Sequence, residues 1–104
     1  MLMLQIAQLF KAAVKGDIRN FKFHKALFLA KDQRGLTALH KASALGNLEE
    51  VKYILKREPS AIFARDYLEY TALYYAYFAA DKLQTYQYLL DKGATPLNLL
   101  PLTL

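Results

Sequence analysis

Asp32 to Leu55, DQRGLTALHKASALGNLEEVKYIL, constrains this chain more than any other stretch, because it holds two short helical patterns back to back. Asp32 and Gly35 bracket a turn, and Thr37 places a side-chain oxygen where it can cap a first helix from about Ala38 to Leu45. Leu39 and Ala42 recur at helical spacing, and Ala42 and Ser43 are small enough to admit a close neighbouring helix. Gly46 supplies a backbone that turns with positive φ. Asn47 and Glu50 read as a capping pair for a second helix with Leu48, Val51, Ile54 and Leu55 on its apolar face. Neither helix exceeds about 10 residues, below the ~12–15 at which an isolated helix becomes marginal. Each must lean on neighbours.

The segment closely resembles an ankyrin repeat. The residues that carry the resemblance are Asp32, Gly35, Thr37, Ala38, Leu39, His40, Ala42, Gly46, Glu50, Val51, Ile54 and Leu55, with Ala38 where proline is commoner. The resemblance implies an all-α solenoid of stacked helix-turn-helix units with finger-like β-turn loops. It also implies that His40 bonds to the backbone of a neighbouring turn. Asp32, Gly35, Thr37, His40, Gly46 and Thr71 are then structural motif positions.

The pattern recurs on both sides. Shifted back by 30, Leu9, Ala12, Gly16 and Asp17 align with Leu39, Ala42, Gly46 and Asn47, and Phe21 falls where Val51 stands. The first helix is expected over about Leu2–Val14, with Leu2, Ile6, Leu9 and Ala13 on one face, and a truncated second over about Ile18–Lys25. Shifted forward by 34, Asp66, Thr71, Ala72, Leu73, Tyr74 and Ala76 align with Asp32, Thr37, Ala38, Leu39, His40 and Ala42. Beyond that a shift of 35 matches Leu83, Tyr86, Leu89 and Leu90, so one residue is added near Ala80 and Asp81, where no glycine stands. Asp81 with Gln84 is expected to cap that helix, and Gly93 to stop it. Pro59–Phe63 reads as a loop with Ile62 and Phe63 tucked under the helices. The chain divides as a single domain over 1–104, with a degenerate repeat 1 at about 2–30, repeat 2 at about 31–63, repeat 3 at about 64–95, and an apolar tail over 96–104.

That tail, with two prolines and five leucines in ATPLNLLPLTL, is not the polar cap with which solenoids usually end. Three readings stand: it folds back on repeat 3, it meets a partner or second copy, or the chain is a fragment.

Composition narrows the function. There is no cysteine, which excludes disulfides, zinc-thiolate sites and thiol catalysis and fits a cytoplasmic setting, or a host cytosol were the chain a secreted bacterial effector. The apolar start, MLMLQIAQLF, lacks a basic leader and a small-residue cleavage site and is too short to span a bilayer, so it reads as folded rather than as a targeting or membrane segment. Residues 1–41 carry eight lysines and arginines against two acids, while 42–104 carry six against seven. The basic residues of the N-terminal half are scattered and lack interleaved aromatics, which argues against nucleic acid and for a solvated face. Of the two histidines, His40 is absorbed by the motif, and His24 is expected as a partly buried packing residue on the short second helix. No catalytic constellation, metal-ligand spacing or phosphate-cradling glycine loop is present, so no enzyme, metal or cofactor is expected.

The resemblance implies a protein partner of unknown identity, held by finger tips and the concave face of the first helices. Position by position, repeat 2 offers Gln33, Arg34, Leu36, Ala44 and Leu45, and repeat 3 offers Tyr67, Leu68, Tyr70, Phe78 and Ala79. Tyr67 and Tyr70 are read as binding residues, Tyr74 and Tyr77 as packing. The alternative is a structural subunit that self-associates through apolar ends, Leu2, Met3 and Leu4 at one end and Leu97 to Leu104 at the other.

Overall fold

The computed structural model describes residues 2–96. Five α-helices follow in order: α1 (Leu2–Lys15), α2 (Ala38–Ala44), α3 (Leu48–Arg57), α4 (Ala72–Tyr77) and α5 (Gln84–Asp91), with short 3₁₀ segments at Ile18–Asn20, Lys25–Leu29 and Pro59–Phe63. No strand occurs among the described residues. The apolar tail beyond Pro96, including Leu97 to Leu104, lies outside the described residues.

The first helices of successive repeats stack side by side, with α2 packed between α1 and α4. Two rows of equivalent residues make this possible. Leu9, Leu39 and Leu73 fill the interior, and Ala12, Ala42 and Ala76 beside them are small enough to bring the helices close, every one buried. The second layer is α3 and α5. Buried Val51, Ile54 and Leu55 anchor α3, and Leu89 anchors α5. The charges of α3 also agree with its direction: Glu49 and Glu50 stand in the first turn, Lys56 and Arg57 in the last.

The central junction shows why glycine is needed at position 46. After α2, the amides of Gly46 and Asn47 return to the carbonyls of Ser43 and Ala42 at 3.1 and 3.0 Å, closing the helix with Gly46 at φ +70°. A methyl group there would also meet Asp81 of the next repeat at 2.8 Å. Gly93 ends α5 in the same way, as expected, with Ala94 N–H donating to the Leu89 carbonyl at 3.0 Å.

Several expectations are corrected. Repeat 1 has no second α-helix over Ile18–Lys25: after a three-residue 3₁₀ turn at Ile18–Asn20 the chain runs extended and turns again at Lys25–Leu29. The buried residues of the stretch 18–29 are Ile18, Phe23, Leu27 and Phe28, a spacing that no single helix face provides, and Phe21 is 37% exposed. His24 is exposed and lies before the second turn, where its ring nitrogen accepts from the Ala26 amide at 3.1 Å. Phe63 is exposed, whereas Ile62 beside it is buried. Asn47 does not cap α3. Its side-chain amide donates across the repeat boundary to the carbonyls of Ala13 and Val14 at 2.9 and 3.1 Å, satisfying the end of α1. Asp81 caps α5 through Thr85, accepting from its amide at 3.0 Å and its hydroxyl at 2.6 Å, while Gln84 donates only to the Asp81 carbonyl at 3.2 Å.

Candidate functional site

The two fingers, Asp32–Leu36 and Asp66–Tyr70, are built by the same atoms. In the first, the Asp32 amide donates to the Leu36 carbonyl at 2.9 Å, and Asp32 Oδ1 accepts from the amides of Arg34 and Leu36 at 2.8 and 2.9 Å. In the second, the Asp66 amide donates to the Tyr70 carbonyl at 2.9 Å, and Asp66 Oδ1 accepts from Leu68 and Tyr70 at 2.9 Å each. One backbone bond joins the fingers, from the Tyr67 amide to the Arg34 carbonyl at 3.0 Å. It requires close approach at Gly35, where a Cβ would stand 2.7 Å from the Tyr67 nitrogen. Glu69 occupies the slot equivalent to Gly35 and adopts φ 73° without glycine's freedom.

The remaining carboxylate oxygens find partners from the following helix. Lys41 pairs with Asp32 Oδ2 at 2.9 Å, and at the equivalent position Tyr75 donates its phenol to Asp66 Oδ2. Burial pushes the Asp66 carboxyl up, but the Tyr75 phenol and the Tyr70 and Leu68 amides outweigh it and hold the group below its ordinary value. Burial, then the bond to Asp66, pushes the Tyr75 phenol well up, so it stays a donor. This shared slot, nine residues after each aspartate, was not anticipated. The visible signal was a donor-bearing side chain at that offset in both repeats.

His40 ties α2 to the second finger. Its Nδ1 accepts from the Thr37 amide at 3.0 Å while Thr37 Oγ1 accepts from the His40 amide at 3.4 Å, a reciprocal cap. Its Nε2 lies 2.9 Å from the Tyr70 carbonyl, to which it donates. The Nδ1 contact requires the neutral ring, and burial lowers the His40 pKa in agreement, opposed by the Tyr70 carbonyl, which a charged ring could also serve. Thr71, the equivalent of Thr37, makes no side-chain cap. Tyr74, where His40 would stand, offers no ring nitrogen and instead stacks on Tyr70, centroids 3.7 Å apart and planes within 6°.

The sequence-derived surface residues fall as follows. Gln33 and Arg34 are exposed on the first finger, and Leu36 is half-buried at its base. Tyr67 and Leu68 are exposed on the second, Tyr67 with the Lys31 ammonium 5.7 Å from its ring centroid. Ala44 and Leu45 are exposed at the end of α2, and Phe78 at the end of α4, with Ala79 half-buried after it. Tyr70, Tyr74 and Phe78 form one continuous strip, since Tyr74 meets Phe78 edge-on at 5.2 Å. Tyr77, expected as packing, is 57% exposed and extends the strip, touching Phe78 and Tyr86 at 5.2 and 5.6 Å.

Among the described residues, no group of histidine, aspartate and glutamate could hold a metal ion, and no helix is long and apolar enough to cross a membrane. No curated protein matches the chain. A family model described as ankyrin repeats (3 copies) matches residues 9–98, most of its length. With two fingers closed by equivalent bonds, the histidine link and the stacked helices, that match shows that the chain belongs to the ankyrin-repeat family.

Proposed function

We propose that the chain is a non-catalytic adaptor or inhibitor that holds a protein partner on its finger tips and on the concave face of repeats 2 and 3. Ankyrin repeats are generally protein–protein interaction modules and typically carry no catalysis. The observation that carries the reading is the exposed aromatic strip. Phe78 is 66% exposed and meets Tyr74, which stacks on half-buried Tyr70, and Tyr67 on the same finger as Tyr70 is 65% exposed. Rigid rings supply contact area at low entropic cost, and a buried aromatic anchor contributes about 2 kcal/mol or more to binding. Gln33, Arg34, Leu36, Leu45 and Leu68 complete the surface at its rim.

The test is capture of a partner on the intact chain, followed by titration of that purified partner with a Tyr67→Ala/Tyr70→Ala/Phe78→Ala variant whose helicity is unchanged. A loss of at least about thirtyfold is expected. Unchanged affinity would remove the strip from the interface.

A second reading rests on a separate observation. Leu2, Met3 and Leu4 are 60%, 79% and 72% exposed at the open start of α1, a cluster suited to self-association. Sedimentation velocity of the chain and of a Met3→Lys/Leu4→Lys variant separates the two: a dimer abolished by the variant supports assembly, and a monomer in both excludes it.

A further inference from the structure

Away from the fingers, a groove of about 610 Å³ runs between Ile18–Asn20, α3, the Pro59–Phe63 turn and α5. That volume lies in the range of small-molecule sites. It shares no residue with the aromatic strip and draws walls from all three repeats. Arg19, Lys52, Lys56 and Lys92 line it with a single carboxylate, Glu49, and two tyrosines, Tyr53 and Tyr88.

Local structure explains part of this gathering. Lys56 lies in the last turn of α3 and Lys92 just past α5, where helix dipoles favour cations. It does not explain Arg19 and Lys52, or why the four meet. Glu49 gives little relief, since its contact with Lys52 is 3.7 Å and the two side chains are 61% and 44% exposed. Among the described residues, Arg19, Lys56 and Lys92 take part in no ion pair. What holds like charges together is an aromatic ring: the ammoniums of Lys52 and Lys92 lie 5.6 and 5.5 Å from the centroid of Tyr88. At the other wall, the Tyr53 hydroxyl accepts from Arg57 at 2.9 Å, which leaves its own hydrogen to donate.

We propose that this groove binds a compact polyanion carrying two or more phosphate groups. Point-charge ammoniums on flexible stems suit phosphate oxygens arriving from several directions, and the phenols add neutral donors. The cations converge on one hollow rather than following a stripe, which favours a small polyphosphate over a nucleic-acid duplex. A soluble polyphosphate and a phosphoinositide headgroup share this chemistry.

Calorimetric titration of the full chain with inositol hexakisphosphate at about physiological ionic strength tests the proposal. Saturable one-to-one binding is expected, weakened at least about tenfold by Lys52→Gln and again by Lys92→Gln. The pair Lys11→Gln/Lys15→Gln on α1, outside the groove, leaves it unchanged. Arg19→Gln with Lys56→Gln reads the same groove from other elements, and circular dichroism checks the fold of every variant. Flotation with phosphoinositide vesicles, lost in the same variants, assigns a membrane headgroup as the source, whereas binding of the soluble probe alone assigns a free polyphosphate. Absence of saturable binding in both arms, equal losses from groove and control lysines, or tighter binding to duplex DNA than to the polyphosphate would each overturn the proposal.

Discussion

His40 concentrates much of the central repeat's stability in one imidazole. It accepts from the buried Thr37 amide and donates to the Tyr70 carbonyl, so truncation removes both bonds at once and leaves the Thr37 amide unpaired. His40→Ala is expected to cost about 2–4 kcal/mol in chemical denaturation. The same residue sets a pH dependence. Above its ordinary value of 6.5 it is neutral in both folded and unfolded chains and contributes no slope. As the pH falls below 6.5, the unfolded chain takes up a proton that the folded ring resists, because burial has lowered its pKa, so stability declines until that lower value is reached. Melting temperature should therefore fall between about pH 7 and pH 5, and more steeply than in a His40→Gln variant. Equal slopes would place the titration elsewhere. Glu69 makes the opposite case. It holds φ 73° where the first finger has glycine, and its exposed pair with Arg65 at 3.2 Å offsets little. Glu69→Gly is expected to stabilise the protein by about 0.5–1 kcal/mol, measured as a shift of the denaturation midpoint.

At the scale of elements, legibility followed periodicity. The residues from Asp32 to Leu55 announced α2 and α3 because turn, cap and apolar face all stand in one register, and the structure returns them with ends near those expected. Ile18 to Leu29 did not announce their shape. Ile18, Phe23 and Phe28 are buried five residues apart, a pattern met by two tight turns and an extended link, whereas alignment with the central repeat suggested a short helix. Asn47 was misread for a similar reason: the sequence shows a capping residue, but the unsatisfied carbonyls it serves belong to α1, over thirty residues earlier. Asn47→Ala is accordingly expected to cost about 1–3 kcal/mol. Hydrogen exchange should accelerate in α1 more than in α5, and a loss confined to α3 would restore the capping role.

Among the described residues, α2 of the middle repeat packs against both α1 and α4, so the central repeat is supported on two sides. The amides of α2 and α3 should exchange most slowly, with α1 and α5 exchanging earlier; the reverse order would contradict this stacking. The basic groove, too, depends on all three repeats. Its cations stand at positions 19, 52, 56 and 92, and three of the four come from the part of the chain with no net excess of positive charge. Counting charges along the sequence pointed to the other half, and only the stacking of three repeats gathers them. The aromatic strip was partly legible, since Tyr67, Tyr70 and Phe78 are placed by repeat register. Tyr77 was not: its counterpart in the central repeat, Ser43, is buried, whereas Tyr77 is 57% exposed.

The construction of the fingers has a consequence for how such a protein could acquire new partners. Asp32 and Asp66 hold the bends through main-chain amides, and the bridge between fingers runs from one main-chain atom to another. The side chains at Gln33, Arg34 and Leu68 take no part in those bonds. Grammar and vocabulary are thus written on different atoms. A library randomised at these three positions should return folded members at nearly the parental rate, while one that includes Asp32, Gly35 or Asp66 should not.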